Sequence, residues 1–437
     1  MVDKKVWRII GNMTGNSMDA IDLVLTEFKE GQITTVCTFT KKYTANMQSR
    51  IGALRNMVHH KTRPEIMAIP EFKSVHDEYI RQIADCINEM CDQNAIDKKT
   101  IDAIGFHGKT LDHNPPSVDK ENPFTLQIGS GQMLADLTQI PVVYDFRSAL
   151  LMAGFDGAPL VPVHNAHLAL AKGDACYYNG GNTSNFAFIK DGKVLVGSDA
   201  GPFNEYTDSF IRTYSDIDTY DKDGKYGIKG DLDTDLLQYL FDKGRDFYEL
   251  PLPRSGDPQY YHTKEIFADL NYYYDIFDPQ VFCNIVHTFE YFAAYIAVHT
   301  LTFIDETIDL PCSFELFGGG WKNPLVRKSF EDLLLGKESY VLDEHKVSFA
   351  RLKNLFSKAS ISYSSRGEYM EAQLFADMAR YRLQNQAWEI PEISKSGKHI
   401  ICGRIALPDT ARKSYSDQIN QACCGWQNER SAVHTTK

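Results

Sequence analysis

VLVGSDAGPFNEYTDSF, residues Val194 to Phe210, is an apolar run, then a glycine-punctuated turn carrying Asp199, then an amphipathic run with acidic residues. An apolar segment that stops at glycines and restarts as a helix brings backbone N–H groups to one point, and anionic groups bind there. A carboxylate in that turn would face a phosphate or a sugar. Aspartate is ionised near neutral pH, so Asp199 could take a proton from a water or a hydroxyl. Read alone, Asp-x-Gly-Pro is also a helix N-cap or turn aspartate. The surrounding chain moves the reading toward chemistry.

Just upstream, Ala175 to Tyr178 and Phe186 to Ile189 read as strands around the polar turn NGGNTSN, Asn179 to Asn185, which holds Gly181, and Lys193 to Gly197 adds a third strand. The chain opens on a similar pattern. Val6 to Gly11 is strand-like, Asn12 to Asp19 is a polar turn, and Ala20 to Phe28 and Ile33 to Tyr43 are further strands. We read this as a duplicated supersecondary unit. The first turn, with Thr14, Gly15, Asn16, Ser17, Met18 and Asp19, suits a phosphate because N–H groups and hydroxyls converge on one anion. Asp19 could hold a hydrated Mg²⁺ beside it, although an ordinary hairpin loop uses the same residues.

Helical periodicity is weak from Met47 to Met57 and strong from Phe72 to Met90. Ile101 to Phe106 is then a buried strand delivering His107, Gly108, Lys109 and Thr110 at its end, where open α/β sheets bind ligands. Phe124 to Ile128 reads as a strand, Gly131 to Leu137 as a helix and Pro141 to Phe146 as a strand ending near Arg147. Arg147 could clamp a substrate oxygen or pair with a nearby carboxylate. GAPLVP, Gly157 to Pro162, looks like a turn leaving the first domain.

Downstream, a helix is expected at about Asp233 to Lys243, and Arg254 and Ser255 fall in a plausible substrate loop. Val281 to Phe303 is the longest helical signal and must be buried on more than one face, which makes His287 and His299 core and flank residues. Phe314 to Phe317 is a strand running into GGGWKNP, and Asn323 and Pro324 fit the cap and first residue of the next helix. Gly318, Gly319 and Gly320 at that crossing would let a flat ring such as adenine lie against bare backbone. Glu371 to Arg382 is a further helix, followed by a strand at His399 to Ile405 and a polar tail.

Bulk composition narrows the partners. A chain of 437 residues, 43% hydrophobic and 24% charged, allows two to three globular domains. The net charge of −12 without a long basic block argues against nucleic acid and anionic membranes, while a local basic pocket stays compatible with it. The N-terminus reads as a strand rather than a signal peptide, and no run approaches the roughly 18 apolar residues of a membrane span. Nine scattered cysteines without a C-x-x-C pair suggest reduced thiols in a cytoplasmic protein.

Gly11 to Asp22, IGFHGKT at Ile104 to Thr110, DFR at Asp145 to Arg147, GAPLVP, the Asp199 turn, GGGWKNP and EAQLFA at Glu371 to Ala376 occur in an order that resembles the anhydro-N-acetylmuramic acid kinases, of which levoglucosan kinase is a relative. The resemblance covers about Val6 to Ile405. It implies the α/β fold of actin, hexokinase and Hsp70: two ribonuclease H-like lobes, here residues 1–160 plus about 370–410, and 161–369, with 411–437 as a tail. It further implies ATP and Mg²⁺ as cofactors and a small-molecule sugar as substrate. In such enzymes the aspartate at the position of Asp199 activates water to open a 1,6-anhydro sugar, and the released O6 accepts the γ-phosphoryl group. By position, Thr14 to Asp19, Gly181 and Gly201 would lie by the phosphates, and Gly318 to Gly320 with Asn323 by adenosine. His107, Arg147 and Glu371 would lie by the sugar, and Asp19 and Glu371 by the metal. Whether two copies form a homodimer is left open.

Several positions depart from the family pattern. The family usually has Thr at Asn16, Gly at Ala20, Gln at Lys109, Asp at Leu150, Gly at Asn182, Thr at Ala200, Gly at Phe203, and a small residue then His at Trp321 and Lys322. A side chain at Phe203 is expected to occupy a place where backbone could approach a phosphate. Leu150 and Lys109 are expected to change which sugar fits. An active sugar kinase and a catalytically degenerate member that binds sugar or nucleotide, or acts through a partner, both follow from these residues.

Overall fold

The computed structural model describes residues 6–14, 20–58, 61–158, 160–256, 258–364, 369–388 and 396–412. Gly15, Asn16, Ser17, Met18, Asp19 and the tail beyond residue 412 therefore lie outside the described residues. Internal contacts divide the chain into unit 1, Met1–Gly157 with Glu371–Trp388 and Ile400–Lys437, and unit 2, Ala158–Met370 with Glu389–His399.

In chain order, unit 1 begins with β1 (Val6–Met13), β2 (Ala20–Lys29), β3 (Gln32–Lys42), α1 (Ala45–Val58), α2 (Arg63–Met67), α3 (Pro70–Gln93) and β4 (Ala103–Phe106). A hairpin of β5 (Lys109–Asn114) and β6 (Phe124–Ile128) follows, then α4 (Gly131–Thr138), β7 (Val142–Tyr144) and α5 (Ser148–Met152). Unit 2 holds α6 (Val161–Lys172), β8 (Ala175–Gly180), β9 (Thr183–Lys190), β10 (Lys193–Pro202), α7 (Glu205–Tyr214), α8 (Thr234–Lys243) and α9 (Arg245–Tyr248). It continues with α10 (Thr263–Tyr273), α11 (Pro279–Leu301), β11 (Ser313–Phe317), α12 (Pro324–Leu334), α13 (Lys346–Phe356) and β12 (Ser360–Ser364). The chain then returns to unit 1 through α14 (Met370–Leu383) and β13 (Arg404–Ala406). The expected strand at His399 to Ile405 is thus confined to three residues that pair with the edge strand β7.

Both main sheets share one topology. In unit 1 the order is β3-β2-β1-β4-β7 with β13 added at the edge, and in unit 2 it is β10-β9-β8-β11-β12. Each begins as an antiparallel meander of three strands, and two later strands lie parallel to the first on its other side. This repeated arrangement is the ribonuclease H-like unit, and its duplication places the chain in the actin, hexokinase and Hsp70 fold class.

Local sequence explains the main helices. Along α3 the buried residues Phe72, Val75, Tyr79, Ile83, Ile87 and Met90 follow helical spacing, and Pro70 opens the helix where no N–H is required. That stripe joins Ile10, Leu23, Leu25 and Ile104 in one apolar core. In α12, Asn323 Oδ1 accepts from Leu325 N and Val326 N, and Pro324 takes the first position. Helix α11 is long and apolar enough to cross a membrane by length and composition, which corrects the expectation that no run comes close. Apart from His287 it is buried along Ile285 to Leu301 in the core of unit 2, packed with Tyr178, Phe186 and Phe330. Each aromatic side chain of that kind contributes about 1.5–3 kcal/mol on burial.

The opposite face of the unit 1 sheet is set by two glycines at paired positions, Gly11 of β1 and Gly105 of β4. A Cβ at Gly11 would overlap the carbonyl oxygen of Ala372, and one at Gly105 would overlap that of Phe375. Both obstacles are helix backbone, which cannot swing aside. We expect Gly105→Ala to destabilise unit 1 by at least about 1–3 kcal/mol through overpacking. Denaturant unfolding measures this, and a loss below 0.5 kcal/mol, the ~0.5 kcal/mol scale of a neutral surface change, would mean that α14 moves away freely.

Candidate functional site

In unit 1 the chemistry gathers where adjacent parallel strands end. β4 and β7 pair with Phe106 opposite Tyr144, so His107 and Arg147 emerge at the same edge. Arg147 Nε donates to His107 Nε2 at 3.1 Å, and Arg147 Nη1 donates to the Gly157 carbonyl at 2.7 Å. A guanidinium can only donate, so His107 Nε2 is the accepting nitrogen and its proton sits on Nδ1, 2.9 Å from the Gly108 carbonyl. Burial, then the Arg147 cation, holds the imidazole well below its usual range. His107 is therefore a neutral bracket for Arg147, and its ring stacks on Phe375 of α14 at 4.4 Å.

Glu371, at the start of α14, is part-buried. Burial, reinforced by Asp22, pushes its carboxyl up, while Arg147 and Lys109 pull it down. Lys109 is 1% exposed, and burial followed by repulsion from Arg55 brings its amine down to about 7. Leu150 is also fully buried. Lys109 and Leu150, expected to change which sugar fits, thus both lie in the interior of unit 1. Thr14 is also buried. Its hydroxyl bonds the buried hydroxyls of Tyr43 at 2.9 Å and Tyr79 at 3.2 Å, so it braces the chain entering the first turn.

In unit 2, Asp199 lies within strand β10 opposite Asn185, not in a turn. The physical reason lies in the flanking glycines, which serve close approach. A Cβ at Gly197 would come within 2.9 Å of Pro162 Cγ, and one at Gly201 within 2.6 Å of Ile296 Cγ2. Ser198 and Ala200 point inward and are fully buried, whereas Asp199 is partly exposed. Its Oδ2 accepts from Gly256 N at 2.8 Å, and its N–H donates to the Arg254 carbonyl at 3.1 Å. Arg254 itself is 4% exposed and its guanidinium turns inward, so it does not project from a substrate loop as expected. The placement of Arg254 beside Asp199 was not legible in sequence.

The turn that follows β10 differs from expectation as well. Phe203 N and Glu205 N donate to the Asn182 carbonyl at 2.8 and 3.3 Å, and Asn204 N donates to the Gly181 carbonyl at 3.1 Å. Three N–H groups expected to converge on an anion are engaged by the β8–β9 turn. The Phe203 ring is 2% exposed and packs on Trp321 at 4.6 Å, inside the core. It fills the space beside Gly180 and Gly320, where a Cβ would come within 2.5 Å of the ring. Gly318, with φ 106°, has Asn179 Oδ1 2.6 Å from where a Cβ would stand. Gly319 is the exposed member of the run and has nothing within 4 Å of that position, so its bare backbone is open to a ligand. Asn323 spends its oxygen on the α12 cap and donates through Nδ2 to Glu290 at 2.5 Å. Glu290 is buried, and burial together with the neighbouring Asp221 pushes its carboxyl well up.

The buried amine of Lys109 has a measurable consequence. Its folded value of about 7 lies below that of an unfolded lysine near 10.5, so between those values the unfolded chain binds the extra proton and stability rises with pH. Relative to Lys109→Met, the parent chain should gain stability from pH 7 toward 10 at up to about 1.4 kcal/mol per unit. Guanidinium unfolding of both across that range checks this. Parallel curves would show that the amine keeps its proton throughout.

A family model described as anhydro-N-acetylmuramic acid kinase matches residues 7–407. The curated anhydro-N-acetylmuramic acid kinase of Haemophilus influenzae is 26% identical over 424 residues, 94% of this chain and 100% of that protein. That of Pasteurella multocida is 26% identical over 400 residues, 91% of this chain and 96% of that protein. Among solved structures, component A of (R)-2-hydroxyglutaryl-CoA dehydratase from Acidaminococcus fermentans aligns with a TM-score of 0.38 at 10% identity, covering 85% of this chain and 96% of that one. With nearly the whole chain matched by the family model, the protein belongs to the anhydro-N-acetylmuramic acid kinase family, a family of sugar kinases.

Proposed function

We propose that this sugar kinase uses ATP and couples hydrolytic opening of a 1,6-anhydro sugar, such as anhydro-N-acetylmuramic acid, to phosphorylation of O6. The observation that carries the reading is Asp199: a partly exposed carboxylate on edge strand β10, with one oxygen fixed by the Gly256 N–H. A carboxylate has more lone pairs than one backbone donor takes up, and so can accept a proton from water. In this reading Asp199 takes a proton from water as its oxygen bonds to the anomeric carbon. The C1–O6 bond breaks, and O6 takes the γ-phosphoryl group as ADP leaves. Arg147, held in place by His107 and Gly157, would orient a sugar oxygen.

The residues fit ATP and Mg²⁺ in part. Gly319 offers uncovered backbone where a side chain would otherwise stand, and Glu371 is a hard oxygen donor whose raised pKa a cation would relieve. When bound, Mg²⁺ would neutralise phosphate charge. A role for Asp19 at the metal, and for the first turn at the phosphates, belongs to the same proposal. A cytosolic setting is also part of it.

One observation favours the degenerate alternative: the N–H groups of Phe203, Asn204 and Glu205 are already bonded to the β8–β9 turn. Incubation with Mg-ATP and a panel of anhydro sugars, read as ADP release, separates the two. No turnover together with no ATP-dependent rise in melting temperature would leave the degenerate reading. In an active enzyme, Asp199→Asn should abolish turnover and leave ATP affinity within severalfold, because the amide cannot accept the proton. Equal loss of nucleotide affinity would make Asp199 structural.

A further inference from the structure

Arg254 is an internal cation whose acceptors are carbonyl and hydroxyl oxygens. Nη1 donates to the carbonyls of Tyr248 at 2.6 Å, Leu250 at 3.0 Å and Phe247 at 3.3 Å. Nη2 donates to Thr300 Oγ1 at 2.6 Å and to the Ala200 carbonyl at 3.2 Å. The guanidinium also lies over the rings of Phe247 at 5.2 Å and Phe303 at 5.5 Å. One side chain therefore ties the 247–250 segment, strand β10 and helix α11 together. Its main chain is tied to β10 as well. Arg254 N donates to Ser198 Oγ at 3.0 Å, and the Arg254 carbonyl accepts from Asp199 N at 3.1 Å. Two residues further on, Gly256 N reaches Asp199 Oδ2.

We infer that Arg254 is the positioning residue for the Asp199 carboxylate: it clamps the residues on both sides of Asp199 and sets the segment whose Gly256 N–H aims one carboxylate oxygen. This rests on the reading of Asp199 as the base. Burial lowers the arginine to about 10, so it stays charged through the neutral range. Nε is buried without a hydrogen bond, so the charge is held through Nη1 and Nη2, and only a planar fork reaches Tyr248, Leu250, Ala200 and Thr300 at once. A lysine keeps the charge and the main-chain bond to Ser198 but has one nitrogen, so it cannot hold Ala200, Thr300 and the 247–250 carbonyls together. The strand and the loop would then be free to shift, and misplacement of a reacting group by about 1 Å costs on the order of 100-fold in rate.

The test uses the full chain with Mg-ATP and 1,6-anhydro-N-acetylmuramic acid, comparing Arg254→Lys, Thr300→Val and Asp199→Asn. Thr300→Val is close to isosteric and removes one acceptor of Arg254, far along α11. We expect kcat to fall about 10- to 100-fold in Arg254→Lys and severalfold in Thr300→Val, with KM for both substrates within about threefold. Amide hydrogen exchange at Gly256 and Asp199 should quicken in both variants while the remainder of β10 keeps its protection. A folded Arg254→Lys with parental kcat, or unchanged exchange at Gly256, overturns the inference. If Arg254→Lys does not fold, Thr300→Val decides by the same two readouts. If the parent turns over none of this sugar, the exchange rates decide alone. Turnover retained by Asp199→Asn would instead remove the base reading, and the role of Arg254 in catalysis with it. An inactive Asp199→Asn beside a fully active Arg254→Lys would remove only the present inference.

Discussion

Helix backbone can meet strand backbone only where no Cβ stands between them, and in unit 1 that contact is made at Gly11 and Gly105 against α14. The approach brings the Phe375 ring onto His107, and it sets Glu371 where Asp22, Arg147 and Lys109 all act on its carboxyl. Arg147 in turn is bracketed by a histidine that burial and the arginine itself keep neutral. A bulkier residue at either glycine would separate the helix from the strand ends, and the cluster would lose its geometry before any of its members was changed.

Unit 2 spends its glycines in the same way. Gly197 admits Pro162, Gly201 admits Ile296, and Gly180 and Gly320 both admit the Phe203 ring. Phe203 and Trp321 pack on one another, with Trp321 Nε1 donating to the Tyr178 carbonyl at 3.1 Å. Of the 318–320 run, Gly319 is the glycine that internal packing does not explain, which makes it the position where bare backbone is most informative about a ligand.

Much of this was legible in the sequence, because the repeated strand–turn–strand pattern, the α3 stripe and the Asn323–Pro324 helix start depend on residues close together in the chain. The errors have a common source. A glycine needed for a turn and a glycine needed for close approach look alike in sequence, so GSDAGP read as a turn although β10 runs through it to Pro202. Arg254 follows prolines in a polar segment and read as part of a substrate loop, because its acceptors on the 247–250 segment, β10 and α11 are assembled only by the fold. The His107–Arg147 pair spans 40 residues and becomes visible only when β4 and β7 are known to be neighbours. Helices α6, α10 and α13 were missed outright; α6 begins inside GAPLVP, whose prolines suggested a turn.

The electrostatics of unit 1 point the same way as the chemistry. Burial raises the Glu371 carboxyl and lowers the Lys109 amine, so each charged form is disfavoured at neutral pH compared with the same group in water. For the carboxyl, a folded value above the unfolded one means that the folded state holds the proton longer, and stability falls as pH rises through that interval. For the amine the folded value lies below the unfolded one, and stability rises with pH above about 7. A cation brought to Glu371 would favour its ionised form, which would couple the affinity of that cation to the protonation of this carboxyl.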